Sequence, residues 1–197
     1  MTAMPSVSRR ELVTLAGASA AALLVACGDG NSDSSETARF GEGDAGILNY
    51  LLAIEYLAAD LYAEIGRSGL VKGPALKLVH ENGEQETEHA STLTETLERV
   101  AGRPARKSVS KFSLPDARSA LELAAGVEAA MATAYLGQLP NVESASVLRT
   151  LLSIQSVEGR HSAAIDVLLG KPFASGPFAK PGAVKTVLES VEFLRTG

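Results

Sequence analysis

Glu86-Thr87-Glu88-His89 and Glu158-Gly159-Arg160-His161 repeat one spacing, a carboxylate three residues before an imidazole. Residues three apart on a helix share a face, so each pair can aim an oxygen and a nitrogen at one point. A lone glutamate precedes each pair: Glu55 stands 31 residues before Glu86, and Glu128 stands 30 residues before Glu158. All six residues fall on otherwise apolar stripes. Val147, Leu151, Ile154, Glu158, His161, Ile165 and Leu168 step by four and three along one helical face, and Val79, Asn82, Glu86, His89, Leu93 and Leu97 repeat that rhythm. Burying one unpaired carboxylate is costly. Burying four would overwhelm a domain whose net stability is about 5–15 kcal/mol. Two divalent cations balance four carboxylates and leave both imidazoles neutral. A mixed oxygen and nitrogen donor set suits iron or manganese.

Each half also places a tyrosine seven residues after its lone glutamate, Tyr62 after Glu55 and Tyr135 after Glu128. Seven residues is two turns, so each tyrosine shares a face with its glutamate and can donate a hydrogen bond to a ligand. His80, Glu81, Glu84 and Glu88 read as the wet face of their helix. Tyr56 reads as packing, and Asp60 and Glu64 read as surface.

Four helices must carry these groups. The chain is 46% apolar and only 5% aromatic, without Trp, and Ala and Leu dominate its periodic stretches. This composition favours helix over sheet. Ile47, Tyr50, Leu51, Ile54, Ala58, Leu61 and Ile65 define the first helix, with Asp44 as its cap and Gly66 as its end. Pro74 opens the second, which runs to about Val100 and stops at Gly102 and Pro104. The third spans about 116–139 and the fourth about 142–169, joined at Pro140-Asn141. A longer link, 103–115, connects the second helix to the third. The bundle therefore occupies 44–170. A tail, 171–197, carries Phe173, Phe178 and a short amphipathic helix over 183–194.

One glutamate from each of two helices, with Glu-x-x-His from each of the other two, resembles the ferritin-like di-iron carboxylate superfamily. The ligand pattern is similar to those of rubrerythrin and bacterioferritin, and it covers residues 44–169. The resemblance implies an all-α, ferritin-like four-helix bundle with a long connection between helices 2 and 3. It implies two iron ions, with manganese as the alternative. Glu55 and His89 would be terminal ligands of one ion, Glu128 and His161 of the other, and Glu86 and Glu158 would bridge. Some members carry a further carboxylate one turn after the helix-three glutamate; that position is Met131 here.

The first 43 residues read as an address. Arg9-Arg10 precedes an apolar run over 12–26, 15 residues long, against about 20 for a membrane span. Leu24-Val25-Ala26-Cys27-Gly28 follows. This order resembles a twin-arginine lipoprotein signal peptide over 1–26, with Cys27 the lipidated first residue of the mature chain. Residues 27–43, rich in Gly, Ser, Asp and Glu, read as a flexible tether. The expected location is the cell envelope, on the periplasmic side or the outer face of the plasma membrane, held by the lipid anchor. This leader together with the bundle is similar to exported ferritin-like domain proteins.

Composition narrows function further. Net charge is −5, and no basic run marks a nucleic-acid partner. Cys27 is the only cysteine, so no disulfide, iron–sulfur site or rubredoxin-like centre forms within the chain. An external electron donor is therefore needed for turnover. A tethered chain is poorly suited to a closed storage cage, while a homodimer is compatible with the helix faces. The expectation is ferrous-iron oxidation or reduction of O2 or peroxide at the envelope, guarding it against oxidative stress. The residues do not choose among ferroxidase, peroxidase and oxygenase chemistry. The alternative is a non-catalytic stress-protective or metal-binding module.

Overall fold

The computed structural model describes residues 37–108 and 110–196. Arg9, Arg10 and Cys27, with the expected leader, lie outside the described residues. Five α-helices follow in order among the described residues: α1 Gly43–Ser68, α2 Gly73–Arg99, α3 Ala117–Gln138, α4 Ala145–Leu168 and α5 Val184–Thr196. There is no strand among the described residues. Helices α1 and α2 form one hairpin, α3 and α4 another, and α1 packs against α3 between them. The α2–α4 seam is the sparsest side of the bundle.

Local chemistry sets most of the boundaries. Pro74 sits in the first turn of α2, where its missing N–H costs nothing. Asp116 caps α3, its carboxylate accepting from Ser119 N at 2.8 Å. Helix α1 continues through Gly66 to Ser68 and ends at Gly69, whose φ of 71° is the left-handed stop. Gly66 is helical, and its bare backbone leaves room for the His80 ring, which a Cβ there would approach to 3.0 Å. Helix α2 ends with Gly102 N bonded to Leu97 O at 2.8 Å, but the left-handed residue there is Ala101, with φ 57°. Helix α4 starts at Ala145 rather than near Val142, because a 3-10 turn, Leu139–Asn141, occupies the joint.

Asp44 does not cap its own helix. Its two carboxylate oxygens accept from Glu143 N and Ser144 N, each at 2.9 Å. The start of α1 is thus clipped to the α3–α4 joint. The expected tether is not free over its last residues either. Thr37 is buried, Ala38–Phe40 forms a 3-10 turn, and the Phe40 ring lies 5.7 Å from that of Tyr50. Buried Asn49 anchors this segment and the long crossover together. Its amide donates to Phe40 O and Arg103 O, each at 3.1 Å, and its carbonyl accepts from Ala105 N at 2.8 Å.

The apolar stripes converge as their spacing predicts. Every residue of the α1 stripe is buried, as are the α2 set and the α4 set through Ile165. Leu168, at the end of α4, is 40% exposed and leaves the core. Helix α5 buries Val184, Val187 and Val191 and packs on α3, helped by Gly182 N donating to Thr133 O at 2.8 Å. Phe173 and Phe178 remain outside, 73% and 85% exposed. No described helix is long and apolar enough to cross a membrane.

Candidate metal centre

Glu55, Glu86, Glu128 and Glu158 have no exposed surface, and His89 and His161 are 9% and 4% exposed. One helix delivers each part: α1 Glu55, α2 Glu86 and His89, α3 Glu128, α4 Glu158 and His161. The donors form two overlapping groups, within each of which the donor atoms lie within 4.8 Å of one another. The first is Glu55, Glu86, His89 and Glu158; the second is Glu86, Glu128, Glu158 and His161. Glu86 and Glu158 belong to both. The two imidazoles face each other across the hollow, ring centroids 6.0 Å apart.

Both histidines turn Nδ1 inward. His89 Nδ1 lies 2.9 Å from Glu158 Oε1, 3.4 Å from Glu86 Oε2 and 3.7 Å from Glu55 Oε2. His161 Nδ1 lies 2.7 Å from Glu86 Oε1 and 3.6 Å from Glu128 Oε2. Short as these approaches are, they lack hydrogen-bond direction. Both Nδ1 atoms, both oxygens of Glu86 and of Glu158, and Oε2 of Glu55 and of Glu128 are buried without a hydrogen-bond partner. Native interiors rarely strand polar atoms, and each stranded group costs about 1–3 kcal/mol. Here every stranded atom of the six residues belongs to one hollow. Lone pairs that converge without bonding to one another suit cations, and the carboxylate–imidazole set suits iron or manganese.

Protons are the only substitute for cations at such a site. Burial opposes a charged His89, but Glu158, Glu55 and Glu86 outweigh it and hold its pKa up at about 12. Burial likewise opposes charge on His161, where Glu128 and Glu86 raise the pKa to about 9. Burial pushes Glu55 well above the ordinary carboxylate range, and raises Glu128 as well. Glu158 is raised by burial to about 8, despite its contact with His89. Glu86 is the exception. Burial works to raise it, but His161 and His89 prevail and bring it down to about 2.

Each tyrosine reaches across the bundle. The Tyr62 hydroxyl donates to Glu128 Oε1, and the Tyr135 hydroxyl donates to Glu55 Oε1. Each therefore holds the glutamate of the other half, not the one seven residues before it. Burial, followed by the charge of the bonded glutamate, keeps both phenols protonated well above their ordinary range. Gly83 makes room for Tyr62, since a Cβ there would lie 2.9 Å from the Tyr62 Cβ.

Two further side chains serve the site. Asn82 Nδ2 donates to the Tyr62 hydroxyl at 3.1 Å, completing a relay from Asn82 through Tyr62 to Glu128. Gln85 Oε1 lies 3.2 Å from His161 Nε2. When Nδ1 gives its lone pair to a cation, the proton is left on Nε2, which then donates to Gln85. Asn82 was visible as a polar member of a buried stripe. Gln85 lies one residue off that stripe and gave no signal. His80, Glu81, Glu84 and Glu88 are exposed, as expected. Asp60 pairs with Lys107 at 2.6 Å, away from the hollow. Met131 is 1% exposed and adds no donor.

The fold and the buried donor set together define a helical-bundle protein built around a carboxylate–histidine cluster. A family model for the ferritin-like domain matches residues 43–171, and the chain belongs to that family. Among solved structures, the chain is similar to the crystal structure of a conserved hypothetical protein from Mycobacterium tuberculosis. The TM-score is 0.60 at 18% identity, covering 68% of this chain and 96% of that one. That likeness concerns the fold. No curated protein matches the chain significantly.

Proposed function

We propose that this chain is an exported, lipid-anchored protein that holds two iron ions and oxidises ferrous iron or reduces O2 or peroxide at the cell envelope. The observation that carries the reading is the convergence of buried, stranded donor atoms from four helices on one small region. Glu55 and His89 would complete one ion's shell and Glu128 and His161 the other's, with Glu86 and Glu158 shared. Two ferrous ions held by these six residues would supply two electrons to a dioxygen or peroxide molecule.

The protein's own part is positioning and exclusion. Tyr62 and Tyr135 fix one oxygen of Glu128 and of Glu55, leaving the other oxygen directed inward. Leu93, Leu151 and Met131, each 1% exposed or less, help keep the core around the hollow dry. Low local dielectric strengthens every charge interaction there. With Cys27 the only thiol in the chain, re-reduction would come from an external donor.

Metal analysis of the purified full-length chain tests the reading. The expected result is about two irons per chain, and consumption of O2 or peroxide by the ferrous form. Bound iron without consumption would leave a non-catalytic metal-binding module. A folded chain that refuses ferrous ion would overturn the proposal. The address is tested separately. Cys27→Ser should move the protein from the membrane fraction to the soluble one, and Arg9→Lys with Arg10→Lys should retain it inside the cell.

A further inference from the structure

The two donor groups differ in how they meet the surface. His161 is pinned from behind by Gln85. The residue in Gln85's place beside the other Glu-x-x-His is Val157, one before Glu158, which offers no hydrogen bond. Asn82, which steadies Tyr62, likewise corresponds to Ile154, four before Glu158. Val157 and Ile154 instead line a cleft of about 400 Å³ between α2 and α4, with His89 among its walls. Thr92, Thr150 and Ser153 supply hydroxyls along it, and Glu88 and Arg149 supply opposite charges. The His89 ring therefore stands between this cleft and the carboxylates that its Nδ1 faces.

We propose that the α2–α4 cleft is the port through which divalent cations enter the site, and that the His89 ring is its gate. This inference rests on the metal-centre reading. A water molecule occupies about 30 Å³, so the cleft has room for a divalent ion with a shell of about six waters. The hydroxyls replace part of that shell as the ion sheds it. The carboxylates beyond supply the attraction. Among the described residues none hydrogen-bonds the outer face of His89, which leaves the ring free to swing, whereas Gln85 restrains His161. The Glu55/His89 position therefore fills first and empties first, and the Glu128/His161 position exchanges through it.

Stopped-flow uptake of Co2+ by the full-length chain, followed by its d–d absorption, tests the route. The wild type should load in two phases. Ser153 and Thr92 are exposed, so Ser153→Trp and Thr92→Trp fill the cleft without disturbing the core. Each should slow both phases by roughly tenfold, a barrier change of about one decade in rate, with final stoichiometry unchanged. Arg149→Glu should accelerate the fast phase, an effect opposite in sign to generic damage. Gln85→Val should speed chelator extraction of the slowly released ion alone. Unchanged uptake rates in both Trp variants would overturn the port, even if Co2+ binds normally. A wild type that binds no Co2+ at all would instead defeat the metal-centre reading on which the port depends.

Discussion

The Glu128/His161 group and the Glu55/His89 group contain the same donors and sit in different surroundings. Around the first, Asn82 holds Tyr62, Tyr62 holds Glu128 and Gln85 holds His161. Around the second, Tyr135 holds Glu55, while Ile154 and Val157 face the cleft beside His89. The ligands and the tyrosines that hold the lone glutamates are duplicated; Asn82 and Gln85 are not. Because the bundle is crossed, the polar supports on α2 serve ligands on α3 and α4. One half of the sequence thus stiffens the donors of the other. Outer hydrogen bonds set how firmly a ligand is oriented, so equal donors here need not bind equally.

The largest effect should come from erasing what the groups share. Glu86→Ala with Glu158→Ala should abolish binding at both positions, read by metal analysis. It should also remove the metal-dependent stabilisation against unfolding, which is about 2.7 kcal/mol per ion when the free ion is at 100 times its Kd. Retention of one ion would mean the groups are separable. Gln85→Val should weaken only the Glu128/His161 position, by about 10–100-fold, in a calorimetric titration that resolves two sites. Val157→Gln should tighten the other position. Equal losses at both sites in Gln85→Val would dissolve the distinction between them.

Tyrosine deletions probe the same contrast without metal. Tyr62→Phe strands both Asn82 and Glu128, and should cost about 1–3 kcal/mol in denaturant unfolding of the metal-free protein. Tyr135→Phe strands only Glu55 and should cost less. A slope with pH needs no substitution at all. The metal-free folded site keeps protons that the unfolded chain has released, Glu158 from 4.5 up to about 8 and His161 from 6.5 up to about 9. Stability from these groups is greatest below the lower values and is lost as pH rises through the upper ones. The melting temperature of the metal-free chain should therefore fall between about pH 5 and 9. Loading with metal should reverse the trend, because cations displace those protons. Glu86, lowered to about 2, acts with the opposite sign, only at pH below its ordinary 4.5.

The periodicity made the helices and the buried ionisable residues legible, because a charge on a 3.6-residue apolar stripe has nowhere to point but inward. Pro74 and Asp116 marked real helix starts. What sequence could not show was which element each polar side chain would meet. Asp44 has the residue type of a cap and instead bonds the distant Glu143 and Ser144 amides. Asn49 lies off the apolar stripe of its helix, and its partners come from the crossover more than 50 residues away. Tyr62 was paired by spacing with Glu55, but the side-by-side packing of α1 and α3 delivers it to Glu128. Spacing reports faces along one helix; the crossing between helices decides partners.

That crossing also acts as an inspection of the finished molecule. Each hairpin alone owns a lone glutamate, a Glu-x-x-His and a tyrosine whose acceptor lies in the other hairpin. Neither can assemble the hollow by itself, and each donor group draws on both. A chain with one hairpin undocked offers scattered, wet carboxylates in place of a shaped cage. Occupancy of the hollow would thus certify that both hairpins have docked.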